Sequence, residues 1–186
     1  MDFDLASGDR ELLLAAARES IASRLQGREA RRPQTPPALM ERCGAFVTLH
    51  EAGRLRGCIG RMVGSDPLLE TVSSMARAAA FEDPRFPPLS ARELGEIDIE
   101  ITVLSPLRDC CPDEVEVGRH GIYITKGWHS GVLLPQVATE RCWDRETFLE
   151  QTCLKAGLPP DAWESPEARV QVFEGIVFGE KGVAGC

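Results

Sequence analysis

The strongest constraint on this chain is a pattern that occurs twice: two short β runs joined by a tight turn, then a helix, then another β run. In the first copy, Gly44–Leu49 (GAFVTL) reads as a strand, Glu51-Ala52-Gly53 as a turn and Arg54–Met62 (RLRGCIGRM) as the returning strand. Asp66 and Pro67 then mark a helix start, and Leu68, Leu69, Val72, Met75, Ala76 and Ala79 supply its apolar face. Ser90 and Glu93 have the spacing of a capping box. Beyond them Ile97, Ile99, Ile101 and Val103 alternate with Asp98, Glu100 and Thr102 as a half-buried strand.

The second copy predicts a strand at Gly121–Lys126, a turn at Gly127–Ser130 and a partner strand at Gly131–Thr139. Asp144 caps a helix with Phe148, Leu149, Cys153 and Ala156 inward and Gly157 as its stop. A last strand spans Arg169–Phe178, with Gly175 as a bulge. Gly44 precedes Asp66 by 22 positions and Gly121 precedes Asp144 by 23, so one β-β-α-β unit used twice is expected, at 44–104 and 120–178. The alternative is coincidence between two common hairpin-plus-helix patterns. Ahead of the repeats, Asp9 caps a helix to Gln26 with a Leu13, Ala17, Ile21, Leu25 seam, followed by a linker carrying Pro33, Pro36 and Pro37. The fold class is therefore α+β with a mainly antiparallel sheet, an extra N-terminal helix and a C-terminal strand. At 186 residues a single domain, 1–186, is the expectation.

One thiol stands apart. Strand periodicity in RLRGCIGRM puts Leu55 and Ile59 on the core side and Arg54, Arg56 and Cys58 on the other. Neighbouring guanidiniums favour a thiolate, and Gly57 and Gly60 would let a ligand approach the backbone. Cys58 is thus a candidate nucleophile, with Arg56 as its electrostatic partner; against this, most free cysteines are small buried fillers. Superposing the two copies without gaps sets Pro135 opposite Cys58 and Gln136 opposite Ile59. Pro135 then implies an edge or bulged strand, and Gln136 either satisfies a buried backbone group or lines a pocket.

His120 is the candidate helper for Cys58. No helix-spaced ligand pair, phosphate loop or C-x-x-C pair is present, and no intrinsic metal is expected. In DPRFPP, Asp83 and Arg85 sit in a proline-stiffened loop, as a recognition edge or as a pair that simply closes a turn. Trp128, Trp143 and Trp163 are expected to anchor loops against the core. A net charge of −8 disfavours broad nucleic-acid binding, although Arg54, Arg56 and Arg61 could hold one phosphate. No apolar run approaches a membrane span and the N-terminus lacks signal-peptide features, so a cytoplasmic address with cysteines kept as thiols is expected.

GAFVTL, LRGCIG, DPRFPPLS, IEITVLSPL, HGIYI, LLPQVATE with CWD, and FLEQTCLKAGL with the tryptophan after it occur in order from about residue 10 to residue 178. Together they resemble the AMMECR domain family, named for the AMME-syndrome candidate-gene protein and also called AmmeMemoRadiSam system protein A. The resemblance implies two unequal subdomains, a cleft between them, and LRGCIG as the signature segment, which carries Arg56, Gly57, Cys58 and Gly60. It also implies a Memo-like protein and a radical SAM protein as partners, and names no reaction or cofactor. Three functions follow as expectations: a component of a modification pathway, enzyme or accessory, acting through the Cys58 face; a non-catalytic interaction module; or an RNA-modification accessory. Arg85 and Gln136 join Gly57 and Gly60 as candidate ligand contacts.

Overall fold

A computed structural model describes residues 4–31 and 34–181; Pro33 of the expected linker and Cys186 lie outside the described residues. The chain forms two compact units, one built from residues up to Leu104 together with those from Ile176 onward, the other from Ser105–Gly175.

In the first unit, α1 (Ser7–Leu25) and α2 (Leu68–Phe81) pack together and cover one face of an antiparallel sheet of order β2-β1-β3-β8. Here β1 is Gly44–Glu51, β2 Arg54–Arg61, β3 Ile97–Leu104 and β8 Gly175–Gly179. Alternation sends Val47, Leu49, Ile99 and Ile101 inward, against Leu13 and Ile21 of α1 and Val72 and Ala76 of α2. In the second unit the sheet order is β4-β7-β5-β6, from β4 (Arg108–Asp109), β5 (Gly121–Lys126), β6 (His129–Leu133) and β7 (Arg169–Phe173). Its core joins Ile122, Ile124, Val170 and Val172 to Phe148 and Leu149 of α4 (Arg145–Lys155).

Each sheet therefore has the same plan. The first strand of a hairpin is flanked by its returning strand on one side and by the strand after the helix on the other. The fourth strand of each is supplied by the chain segment adjoining the other repeat: β4 follows β3 in sequence but pairs with β7, and β8 follows β7 but joins β3. The same packing device recurs as well. A Cβ on Gly57 would lie 2.2 Å from the Ala79 carbonyl oxygen of α2, and one on Gly131 would lie 2.7 Å from the Thr152 carbonyl oxygen of α4. In both units the helix rests on the backbone of the returning strand.

Several local expectations are corrected. The partner strand expected at 131–139 ends at Leu133, and Pro135–Glu140 is a short helix, α3, with Pro135 at its first position, where the missing N–H is harmless. Gln136 is therefore an exposed helical residue rather than a strand residue. The strand at 169–178 is two strands in different sheets, with the break at Glu174. Asp9 lies inside the first turn of α1, whose cap is Ala6, and Asp66 stands one residue before the α2 cap, Pro67. Asp144 does cap α4, accepting the Thr147 N–H at 2.8 Å. Trp143 and Trp163 pack against the second core, whereas Trp128, on the turn before β6, is fully exposed. Among the described residues no helix is long and apolar enough to cross a membrane.

Candidate functional site

The signature segment occupies β2, an edge strand. Its register with β1 slips once: Leu49 pairs with Gly57, but His50 pairs with Leu55. Arg56 is thus an extra residue, and a bulge redirects the side chains around it. The sequence expectation for this stretch is reversed. Leu55, expected in the core, is 43% exposed, and Arg56, expected beside Cys58 on the open face, is 7% exposed. The Arg56 Nε donates to Glu93 Oε1 at 2.7 Å and its Nη2 to the Pro87 carbonyl at 3.0 Å. Its Nη1 is buried without a hydrogen-bond partner.

Past the bulge, alternation resumes. Val47 opposes Ile59 on the core face, and Thr48 opposes Cys58 on the face away from α2. Cys58 is partly exposed, and its sulfur accepts the Thr48 hydroxyl at 3.3 Å. The backbone of Cys58 is held from the open edge. Its N–H donates to Asp83 Oδ2 at 2.9 Å, and its carbonyl accepts Arg85 Nη2 at 3.1 Å. Arg85 in turn forks onto both Asp83 oxygens, at 2.9 and 2.7 Å. The Asp83–Arg85 pair thus supplies the donor and the acceptor that a neighbouring strand would offer here. Phe86 lies between the two arginines, its ring centre 5.9 Å from the Arg56 guanidinium and 5.6 Å from that of Arg85.

Two carboxylates organise this arrangement. Asp83 is buried, and Arg85 first, then the Cys58 N–H, hold its carboxyl well below the usual carboxylate range. Glu93 is lowered to about 2, chiefly by Arg56 and then by the Ser90 N–H, which it accepts at 2.7 Å. A carboxyl whose pKa is lower folded than unfolded adds stability above its unfolded value, about 4, and loses it as pH falls through the folded value. Denaturant midpoints of the wild type should therefore drop steeply from about pH 4.5 down to about pH 2. Glu93→Gln is expected to start lower and to flatten that slope; an unchanged slope would show that this carboxylate does not couple to folding.

The remaining candidates are placed as follows. Gly57 is buried beneath Ala79, and a Cβ on Gly60 would meet the Phe46 ring at 2.2 Å, so packing accounts for both glycines without a ligand. His120 belongs to the second unit and is 1% exposed. Its Nδ1 accepts the Glu116 N–H at 3.0 Å and its Nε2 faces Arg108 Nη2 at 3.2 Å. Burial, then the Arg108 charge, lowers its pKa, and neither ring nitrogen is left free to serve as a base. The strand partnerships also replace the gapless match of the two copies. Counted from the hairpin turns, Ile124 opposes Gly131 as Leu49 opposes Gly57, and Tyr123 opposes Val132 as Thr48 opposes Cys58, so the counterpart of Cys58 is Val132 and not Pro135. Thr48 escaped sequence reasoning, because a hydroxyl ten residues from the thiol carries no local signal. Glu93 showed its Ser90 partner by spacing, but not its bond to Arg56. No group of three or more His, Cys, Asp or Glu suited to a metal occurs among the described residues.

The fold and this segment define an α+β protein of two antiparallel-sheet units, with a signature strand clamped along its edge. The AMMECR1 family model matches residues 14–178, and the chain belongs to that family. It is 42% identical to a protein of Methanothermobacter thermautotrophicus over 96% of this chain and 97% of the other, and 44% identical to one of Thermococcus gammatolerans over 92% and 90%. The crystal structure of the uncharacterized protein PH0010 from Pyrococcus horikoshii matches it with a TM-score of 0.75 at 40% identity, over 95% of this chain and 93% of that one.

Proposed function

We propose that this protein is a thiol-using component of a modification pathway, with Cys58 as the nucleophile or covalent carrier. The observation that carries the reading is a fixed thiol: both backbone polar groups of Cys58 are held by Asp83 and Arg85, while a hydroxyl donates to its partly exposed sulfur. A hydrogen bond donated to sulfur stabilises the anion that attacks an electrophile, and a fixed backbone lowers the entropy lost in reaching it. In this reading Arg85, 54% exposed at its side chain, takes the role of nearby cation that sequence spacing gave to Arg56. Arg56 positions the loop instead, through the Pro87 carbonyl. A Memo-like protein and a radical SAM protein remain the partners to test for delivery or acceptance of the modified group.

Labelling the folded protein with iodoacetamide near neutral pH, followed by peptide mapping, tests this directly. The reaction forms one S–C bond and releases iodide. Cys111 and Cys142 are exposed and serve as internal references. Cys58 is expected to label faster than either, and Thr48→Val to slow it about five-fold, the equivalent of one hydrogen bond of about 1 kcal/mol. Labelling of Cys58 only on unfolding would remove the thiol role.

A second reading rests on the rigidity of the Asp83–Pro88 loop, which bonds to β2 at Cys58 and through Arg56 at Pro87. A loop held this firmly suits a docking edge for a partner protein. Under it, Cys58→Ser leaves function in vivo intact while substitutions at Pro84 or Phe86 abolish it.

A further inference from the structure

Away from the thiol, Arg24 of α1 and Arg77 of α2 make no ion pair among the described residues and stand beside Arg61 of β2. Arg24, Arg61, Ser74, Arg77, Phe81 and Glu82 line one cavity of about 240 Å³. Arg77 makes no hydrogen bond or ion pair among the described residues, and Arg24 only lies over the Phe81 ring at 5.9 Å. Arg61 reaches the exposed Ser65 and Asp66 at 3.4 and 3.7 Å, both long. In a chain of net charge −8, this hollow gathers three guanidiniums against one carboxylate.

Like charges brought together repel unless an anion lies between them. Arg24 stands in the last turn of α1, where the helix dipole favours a cation; the dipole does not account for Arg77, which lies before the last turn of α2, or for Arg61, which stands on a strand. A guanidinium fork matches phosphate oxygens two at a time. An adjoining cavity of about 510 Å³ shares Arg24 and Arg77, giving room for more than the anion itself.

We propose that this hollow binds a small phosphorylated molecule, its phosphate among Arg24, Arg61 and Arg77 and the remainder in the adjoining cavity. A small ligand fits better than a nucleic acid, because a long polyanion would also meet the repulsion of the acidic surface. Cys58 does not line either cavity, so the site stands independently of the thiol reading.

Calorimetric titration of the full chain with pyrophosphate tests it. One saturable site is expected, weakened at least about ten-fold by the double variant Arg24→Gln/Arg77→Gln, since each lost charge-assisted bond is worth a factor of about ten. Glu82→Gln should tighten binding, and Cys58→Ser should leave it unchanged. Melting curves of the variants confirm that each is folded. The proposal falls if no saturable binding occurs, or if the arginine variants bind as the wild type does. It falls also if a short single-stranded RNA binds more tightly than pyrophosphate and displaces it, which would make the hollow a nucleic-acid contact.

Discussion

Replacing Gly57 with alanine is expected to lower the unfolding free energy by about 3 kcal/mol, the upper part of the range for overpacking a close-packed interior. The added carbon would sit 2.2 Å from the Ala79 carbonyl oxygen and 3.2 Å from its carbon. Both are backbone atoms in the last turns of α2, so no side chain can rotate aside. Either α2 lifts from the sheet or β2 bends away, and both loosen a core that contains Leu49, Val72 and Ala76. Gly60→Ala provides the contrast. Its new carbon meets the ring of Phe46, which is only partly buried and can swing, so a loss of about 1 kcal/mol is expected. Urea denaturation of the two variants measures the difference directly. Equal, small losses would mean that α2 does not rest on this strand, and would return both glycines to the role of opening the backbone to a ligand.

The second large effect is expected at Asp83. Its carboxylate accepts the Cys58 N–H and holds Arg85 in place over the Cys58 carbonyl, so Asp83→Ala strips both partners from the middle of an edge strand. A melting temperature lower by roughly 5–10 °C follows for a chain of this size. So does a gain in self-association with concentration, because an uncovered edge offers its ladder groups to another chain. Asp83→Asn keeps an acceptor for the N–H and loses the charge that orders Arg85; it should fall between wild type and alanine. Thermal melts and sedimentation at several concentrations read both effects. An alanine variant that melts and sediments as the wild type does would show that the clamp does not protect the strand. The two experiments probe opposite sides of β2: Gly57 its contact with the helix, Asp83 its open edge.

Much of this architecture was legible residue by residue. The alternation of Ile97, Ile99, Ile101 and Val103 with polar residues, the Ala52-Gly53 turn, the apolar face of α2 and the Asp144 cap all lie within a few positions of what they determine. The segment after Leu133 was harder, because Pro135 is compatible both with an irregular strand and with the first turn of a helix. At Glu174 the local pattern is strand on both sides, and nothing within it reports that the two stretches belong to different sheets. In the candidate site, Cys58, Asp83 and Arg85 could be named from the chain, but their bonding could not. The loop and the strand are 25 residues apart and meet only because α2 carries the chain back.

The sequence by itself determined the hairpin-then-helix-then-strand succession of the paired repeat and the family, because those depend on local periodicity and on motifs in a row. Tertiary structure alone decided which way Arg56 faces. Side-chain direction along a strand is a running count of two, and one inserted residue opposite Leu49 resets the count, sending Leu55 outward and Arg56 inward to Glu93. That extra residue is visible only against the partner strand.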